Sequence, residues 1–275
     1  MDKRAKMSRR AIWIVLLLGL IFTVCPIIWV FIGAFKTNAE IFGKPFNLPK
    51  SWDFVYIKQA WSLGNFDRYL LNSAVTTIGG MAIVFLTACP AGYALAQMRF
   101  KGNNLLFYLF LMGIAVPVQA IIIPIFYQMK SLGLIDTLTG LTIVSASLAL
   151  PFSIFLMRNS FKDIPTEMRE AAYVDGAKEW KTFIFIMLPV AKPGVVALMV
   201  FTFMNIWNDF LLPLVLLISN ENFTVSLGLF SFQGSYVTNY NLVFGGTLIS
   251  MVPSILVYLI FQRQFTSGMS AGANK

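Results

Sequence analysis

Histidine is missing from this 275-residue chain. Its absence excludes imidazole acid–base catalysis and His-ligated metal centres, and no other metal site is expected. Charge is scarce as well. Asp, Glu, Lys and Arg together make up 12% of the residues, against roughly 25% in soluble domains. The two cysteines, Cys25 and Cys89, both lie inside apolar runs, where they read as reduced, packed small hydrophobes. No Walker A loop is present, since Gly43-Lys44 is followed by Pro45. The chain therefore lacks the phosphate-cradling loop of an ATPase. It also shows no internal repeat, no low-complexity segment and no loop long enough for a separate soluble domain.

Apolar sequence is what the chain has in quantity. Hydrophobic residues make up 57% and aromatic residues 15%, and the mean hydropathy is +0.73. This is the composition of a membrane protein. About 20 apolar residues cross the hydrocarbon at 1.5 Å each, and six stretches qualify, at about 11–35, 70–97, 105–127, 141–157, 194–218 and 242–261. The basic start before the first stretch resembles a signal peptide, but the apolar run is too long and lacks a small-x-small cleavage site, so a retained span is expected. Gly79-Gly80 and Ala88-Cys89-Pro90-Ala91-Gly92 give the second span a small-residue face that another helix can approach. Pro117 and Pro124 place the third span toward the interior of a bundle, where protein or water satisfies the freed carbonyls. The expected fold class is an all-α integral membrane protein, with residues 1–10 a cytoplasmic N-terminus and 11–275 one six-span domain.

Charge bias sets the expected orientation. With both termini in the cytoplasm, 15 of the 21 lysines and arginines fall on that side, as the positive-inside rule requires. Much of the net charge of +9 thus follows from topology and calls for no nucleic-acid partner. The same assignment puts the long loop at 158–193 in the cytoplasm.

That loop is the only long charged-and-apolar segment between two hydrophobic blocks. Pro165 is expected at the start of a short helix, where its missing N–H costs nothing, with Glu167 and Glu170 favoured by the helix dipole. Gly176 suits the C′ position, which needs positive φ. A second helix at about 177–188 begins polar and turns apolar, with Trp180 and Phe183 near the headgroups. Pro189 and Pro193 then turn the chain into the fifth span. The exposed tip would be Glu170, Ala171, Ala172, Asp175 and Gly176, small enough for a partner's cleft to close on and acidic enough to bind its Arg or Lys. The plainer reading is a capped loop between two spans.

Asp209 is the only acid clearly inside a span. An unpaired charge at that depth is costly, so it should face a cavity, the bundle interior or a partner. Asn208 and Asp209 then either line a path and bind substrate hydroxyls, or cap and pair structurally near the outer end.

Ile164-Pro165, Glu170-Ala171-Ala172, Asp175-Gly176-Ala177, Phe183, Ile186, Leu188-Pro189 and Pro193 resemble the EAA loop of ABC importer permeases. The likeness extends to Tyr93-Ala94-Leu95-Ala96 with Arg99-Phe100 and to Leu132-Gly133-Leu134-Ile135-Asp136-Thr137. It also takes in Trp207-Asn208-Asp209-Phe210 with Pro213-Leu214, and Gln262-Arg263 with Phe265 and Gly268. Nearly the whole chain resembles the six-span permeases of the carbohydrate-uptake, maltose-type family. The resemblance implies a type I ABC importer permease fold with a cytoplasmic coupling helix-turn-helix, in a bacterial or archaeal plasma membrane. It implies four partners besides lipid: a second homologous permease, two ATP-binding subunits and an extracytoplasmic sugar-binding protein. It implies alternating access, with ATP used by the partner subunits and no cofactor bound by this chain. It places Glu170, Ala171, Ala172 and Gly176 in the ATPase cleft and directs Gln233, Gly234, Ser235 and Tyr236 toward the binding protein. The cargo stays open among disaccharides, oligosaccharides and polyol phosphates.

Two other classes compete. An intramembrane enzyme would need paired catalytic groups in the spans, and no Ser–Lys pair or second buried acid is present. A self-sufficient carrier or channel would leave the docking loop without a purpose.

Overall fold

A computed structural model describes the backbone of residues 3–232 and 238–270 and the side chains of residues 12–232 and 238–262. Among the described residues every regular element is helical. In chain order these are α1 (Lys3–Gly33), α2 (Asn38–Gly43), α3 (Val55–Leu63), α4 (Phe66–Gln97), α5 (Asn103–Ile114), α6 (Val118–Ser131) and α7 (Leu138–Lys162). There follow α8 (Thr166–Val174), α9 (Glu179–Val190), α10 (Lys192–Trp207), α11 (Leu211–Leu216), α12 (Val225–Gly228) and α13 (Tyr240–Ser270). Among the described residues four helices are long and apolar enough to cross a membrane, and up to six spans result if the bent pairs α5–α6 and α9–α10 each count as one.

The third and fifth spans differ from the continuous helices expected. Between α5 and α6 the chain turns by 99°. Pro117 causes it: a residue preceding proline is pushed out of the α region, and Pro117 itself is extended at ψ 133° as the N-cap of α6. Pro124, by contrast, lies within α6. The fifth span breaks at 208–210, between α10 and α11. In an unbroken helix Pro213 would clash with the carbonyl of Asp209, and the break removes that conflict. Elsewhere the helices outrun the apolar stretches, as in α7, which starts at Leu138 and ends at Lys162.

The chain divides into two compact units, each with its own packing. The first takes the described residues up to Asp67 together with Gly228–Val252. Ala34, Phe35, Ile41 and Phe244 form its core. Lys36 is only 2% exposed, and its ammonium donates to the carbonyls of Lys44 (3.3 Å) and Pro45 (2.8 Å) just beyond α2. A cation suits that end of a helix. Thr37 and Glu40 close a capping box at the other end.

The second unit takes 68–227 and the described residues from Pro253 onward. Val84, Ala88, Tyr93, Ala146, Met157, Phe161, Met187 and Leu198 belong to its main core. The small-residue face of α4 meets α7 there. A Cβ at Gly92 would lie 2.6 Å from Cβ of Met157 and 2.8 Å from the Arg158 nitrogen, so only glycine permits this approach. A second cluster, with Met129, Leu141, Val144, Leu212 and Leu216, packs α6, α7 and α11. Asp136 ties that end together at φ +59°. Its carboxylate accepts the backbone N–H groups of Ile218 and Ser219, both at 2.9 Å, and the Ser219 hydroxyl. Burial works against its charge, but these bonds and one from Asn222 outweigh it and hold the carboxyl well below the usual range.

Candidate coupling loop and intramembrane cleft

The 158–193 loop folds as two short helices joined by a tight turn. Pro165 stands before α8 as its N-cap, with ψ 136°, instead of opening it. At the other end Gly176 has φ +79°. Its N–H reaches the Tyr173 carbonyl at 3.0 Å, and the Ala177 N–H reaches Ala172 at 2.9 Å. These are the two bonds of a Schellman motif, and they satisfy the last carbonyls of α8.

Four of the five expected tip residues, Glu170, Ala171, Asp175 and Gly176, are exposed. Ala172 is not. At 4% exposure it packs inward, where its small side chain lets α8 lie close to the rest of the unit. Val174, 89% exposed beside Glu170 and Ala171, adds an apolar contact to the tip. Its signal in the sequence was a β-branched residue set directly before Asp-Gly. Phe183 also departs from expectation. It turns inward against Tyr93 (5.1 Å between ring centroids) and Phe161 (6.1 Å), while Trp180 is exposed.

A polar network locks the loop into shape. Arg169 on α8 grips Glu179 on α9 in a bidentate pair, Nε–Oε1 3.0 Å and Nη2–Oε2 2.8 Å. Its third donor, Nη1, bonds the carbonyl of Gln97 at 3.0 Å. Tyr93 on α4 donates its hydroxyl to Glu179, and Gln97 donates to the carbonyls of Phe161 (2.7 Å) and Ile164 (3.0 Å). The Arg169 guanidinium is the main cause of a lowered Glu179 carboxyl, with burial opposing and Tyr93 assisting. Nothing in the sequence marks Arg169, Glu179, Tyr93 and Gln97 as one network, because its members lie up to 86 residues apart.

The end of α9 shows how this pair of helices becomes a span. Phe183–Met187 forms one π turn, in which the Leu188 N–H bonds Phe183. It ends at Met187, one residue short of Pro189, whose missing N–H leaves an α-helical carbonyl without its usual partner. The chain then bends by 79° at Ala191 into α10.

The second feature is a cleft of about 620 Å³ within the second unit. Gly194 lies against Ser160 and Phe201 against Phe152, 4.2 Å between ring centroids, so α7 and α10 run antiparallel. Ser145, Leu148, Ala149 and Phe152 form one wall, on the i, i+3, i+4, i+7 stripe of α7. Phe201, Met204, Asn205 and Asn208 form the other wall on the same stripe of α10. The break at 208–210 borders it. Asp209 Oδ1 accepts the N–H groups of Leu211 (3.0 Å) and Leu212 (3.4 Å), capping α11. Asn208 bonds the Met204 carbonyl at 2.9 Å, and Ser254 donates to it at 3.4 Å. Asn208 and Asp209 are thus brought together with the cleft, and Asp209 also carries the structural capping role. The other expected contact set, Gln233, Gly234, Ser235 and Tyr236, lies outside the described residues. Among the described residues no cluster of Cys, Asp or Glu suits a metal ion.

Known proteins share this sequence pattern and fold. The family described as binding-protein-dependent transport system inner membrane component matches residues 88–270. A diacetylchitobiose uptake system permease protein of Streptomyces coelicolor is 35% identical over 259 residues, covering 94% of this chain and 86% of that protein. A lactose transport system permease protein of Rhizobium radiobacter is 33% identical, with 93% and 92% covered. Among solved structures, a chain of a bacterial ABC transporter involved in import of the acidic polysaccharide alginate has a TM-score of 0.85. It is 24% identical, with 96% of this chain and 99% of that chain covered.

Proposed function

This chain belongs to the binding-protein-dependent transport system inner membrane components, the permease subunits of ABC importers, and from that membership we propose that it moves a carbohydrate across the membrane under the control of its 164–193 loop. The sugar assignment draws on permeases named for diacetylchitobiose and lactose uptake. The observation that carries the coupling role is the α8–α9 pair, held rigid by Arg169–Glu179 and presenting Glu170, Ala171, Val174, Asp175 and Gly176 outward. The positive-inside bias supports a cytoplasmic location for this tip.

A partner ATPase closing on ATP would push the tip as one body. Arg169 and Tyr93 pass that displacement to the end of α4, Gln97 passes it to the end of α7, and the bend at Ala191 passes it to α10. Helices α7 and α10 are the two walls of the cleft, so a lever movement alters the cleft directly. Such coupling works only if the ATPase binds the two states with different free energies. In the full assembly this chain pairs with a second homologous permease, two ATP-binding subunits and an extracytoplasmic binding protein. This chain contributes the path and the lever, and the ATPase subunits contribute hydrolysis.

Glu170→Lys tests the lever. Reversing charge at an exposed tip leaves insertion and folding intact, while removing a charge-assisted contact lowers ATPase attachment by about tenfold or more. Retention of the ATPase on purification and ATP-driven uptake are the readouts. Wild-type values for both would overturn the docking role.

A further inference from the structure

Resting on that carbohydrate reading, we infer that the cleft is a site for a neutral sugar ring and that Ser145 and Asn205 contact it. Ser145 is 6% exposed, lines the cleft, and its hydroxyl has no hydrogen-bond partner among the described residues. An unsatisfied buried hydroxyl is costly, and a rotation about χ1 toward the cleft would let a ligand hydroxyl relieve that cost. Serine both donates and accepts, as a sugar hydroxyl does.

Geometry places polar and apolar groups at different depths. Ser160 pairs with Gly194 and Phe152 with Phe201, and the same antiparallel register sets Ser145 opposite Asn208. Asn205 lies one turn below Asn208 on the same wall. The Phe152–Phe201 pair lies about 10 Å deeper, seven residues along each helix. A ring entering from the Asn208 end meets hydroxyl and amide groups first and an aromatic floor beneath. The floor suits the C–H face of a pyranose. The cleft volume, about 620 Å³, falls in the range of about 300–1,000 Å³ typical of small-molecule sites.

Charge sets the specificity. Asp209 is the one ionisable side chain on the lining, and neither Lys nor Arg appears there. An anionic sugar would give up its hydration in a low-dielectric site with no cation on the lining to offset its charge. Uronates and polyol phosphates are therefore disfavoured.

The test uses the assembled importer in proteoliposomes with ATP inside. Uptake is measured for neutral di- and oligosaccharides, lactose and N,N′-diacetylchitobiose included, and for acidic counterparts, lactobionate and an alginate oligosaccharide. Only neutral sugars should enter. Ser145→Ala should cut the neutral sugar moved per ATP hydrolysed about three- to tenfold, and Ser145→Thr should restore most of it. A merely structural role would lower uptake and ATP hydrolysis in step, which would overturn the contact. Unchanged sugar per ATP in Ser145→Ala would overturn it too, while leaving carbohydrate import standing. Equal uptake of acidic and neutral probes would overturn the charge rule. ATP-driven uptake of none of the neutral sugars would instead overturn the carbohydrate reading, and the site with it.

Discussion

The carboxylate of Asp209 reaches across the break after α10 and accepts the amide protons of Leu211 and Leu212. It also borders the cleft. The capping role and the path role can be separated by substitution. Asparagine caps a helix about as well as aspartate, whereas alanine costs about 1 kcal/mol. Asp209→Asn should therefore keep expression and thermal stability near wild type while changing the rate or preference of sugar uptake. Asp209→Ala should lower both. An unchanged transport profile in Asp209→Asn would leave only the capping role. Gly176 is a simpler case, since a turn after Asp175 at the end of a short helix calls for a residue tolerant of positive φ, and φ is +79° there.

Elements α8 and α9 act together because one ion pair joins them. Arg169 and Glu179 are both partly buried, and charge-assisted hydrogen bonds are stronger than neutral ones. Glu179→Gln should destabilise the folded permease by about 1–2 kcal/mol at neutral pH and reduce coupled uptake. The pH dependence has a definite sign. The folded carboxyl is lowered below its ordinary 4.5, so the ionised form adds stability that is full above that value. The stability is lost as pH falls through the lowered folded value. Thermal unfolding of the detergent-solubilised protein should show a gap between wild type and Glu179→Gln at pH 7 that closes in acid. A gap that stays constant with pH would remove the ion pair as its cause. Helix α9 also carries the π turn that precedes Pro189, so the helix pair ends where an ordinary α-helix is interrupted.

At the scale of the whole molecule, transport should require the other subunits. This chain alone in liposomes should give no sugar flux above empty vesicles, and the flux should appear when the partner permease, ATPase and binding protein are added. Flux from the chain alone would favour a self-sufficient carrier. Membrane character and the helix-turn-helix of the 158–193 loop were legible in the sequence because both are local: apolar runs set the helices, and Glu170-Ala171-Ala172 with Asp175-Gly176 sets a helix end. Two further facts were not local. The direction Ala172 faces depends on what packs beneath α8, and Ser145 is one of many serines until α10 lies opposite it. Composition, the places of the apolar runs, charge bias and the Gly176 turn were thus determined by sequence alone, since each depends on neighbours along the chain. The Tyr93–Glu179–Arg169–Gln97 lock and the cleft were decided only in three dimensions, since each joins groups that the chain itself keeps apart.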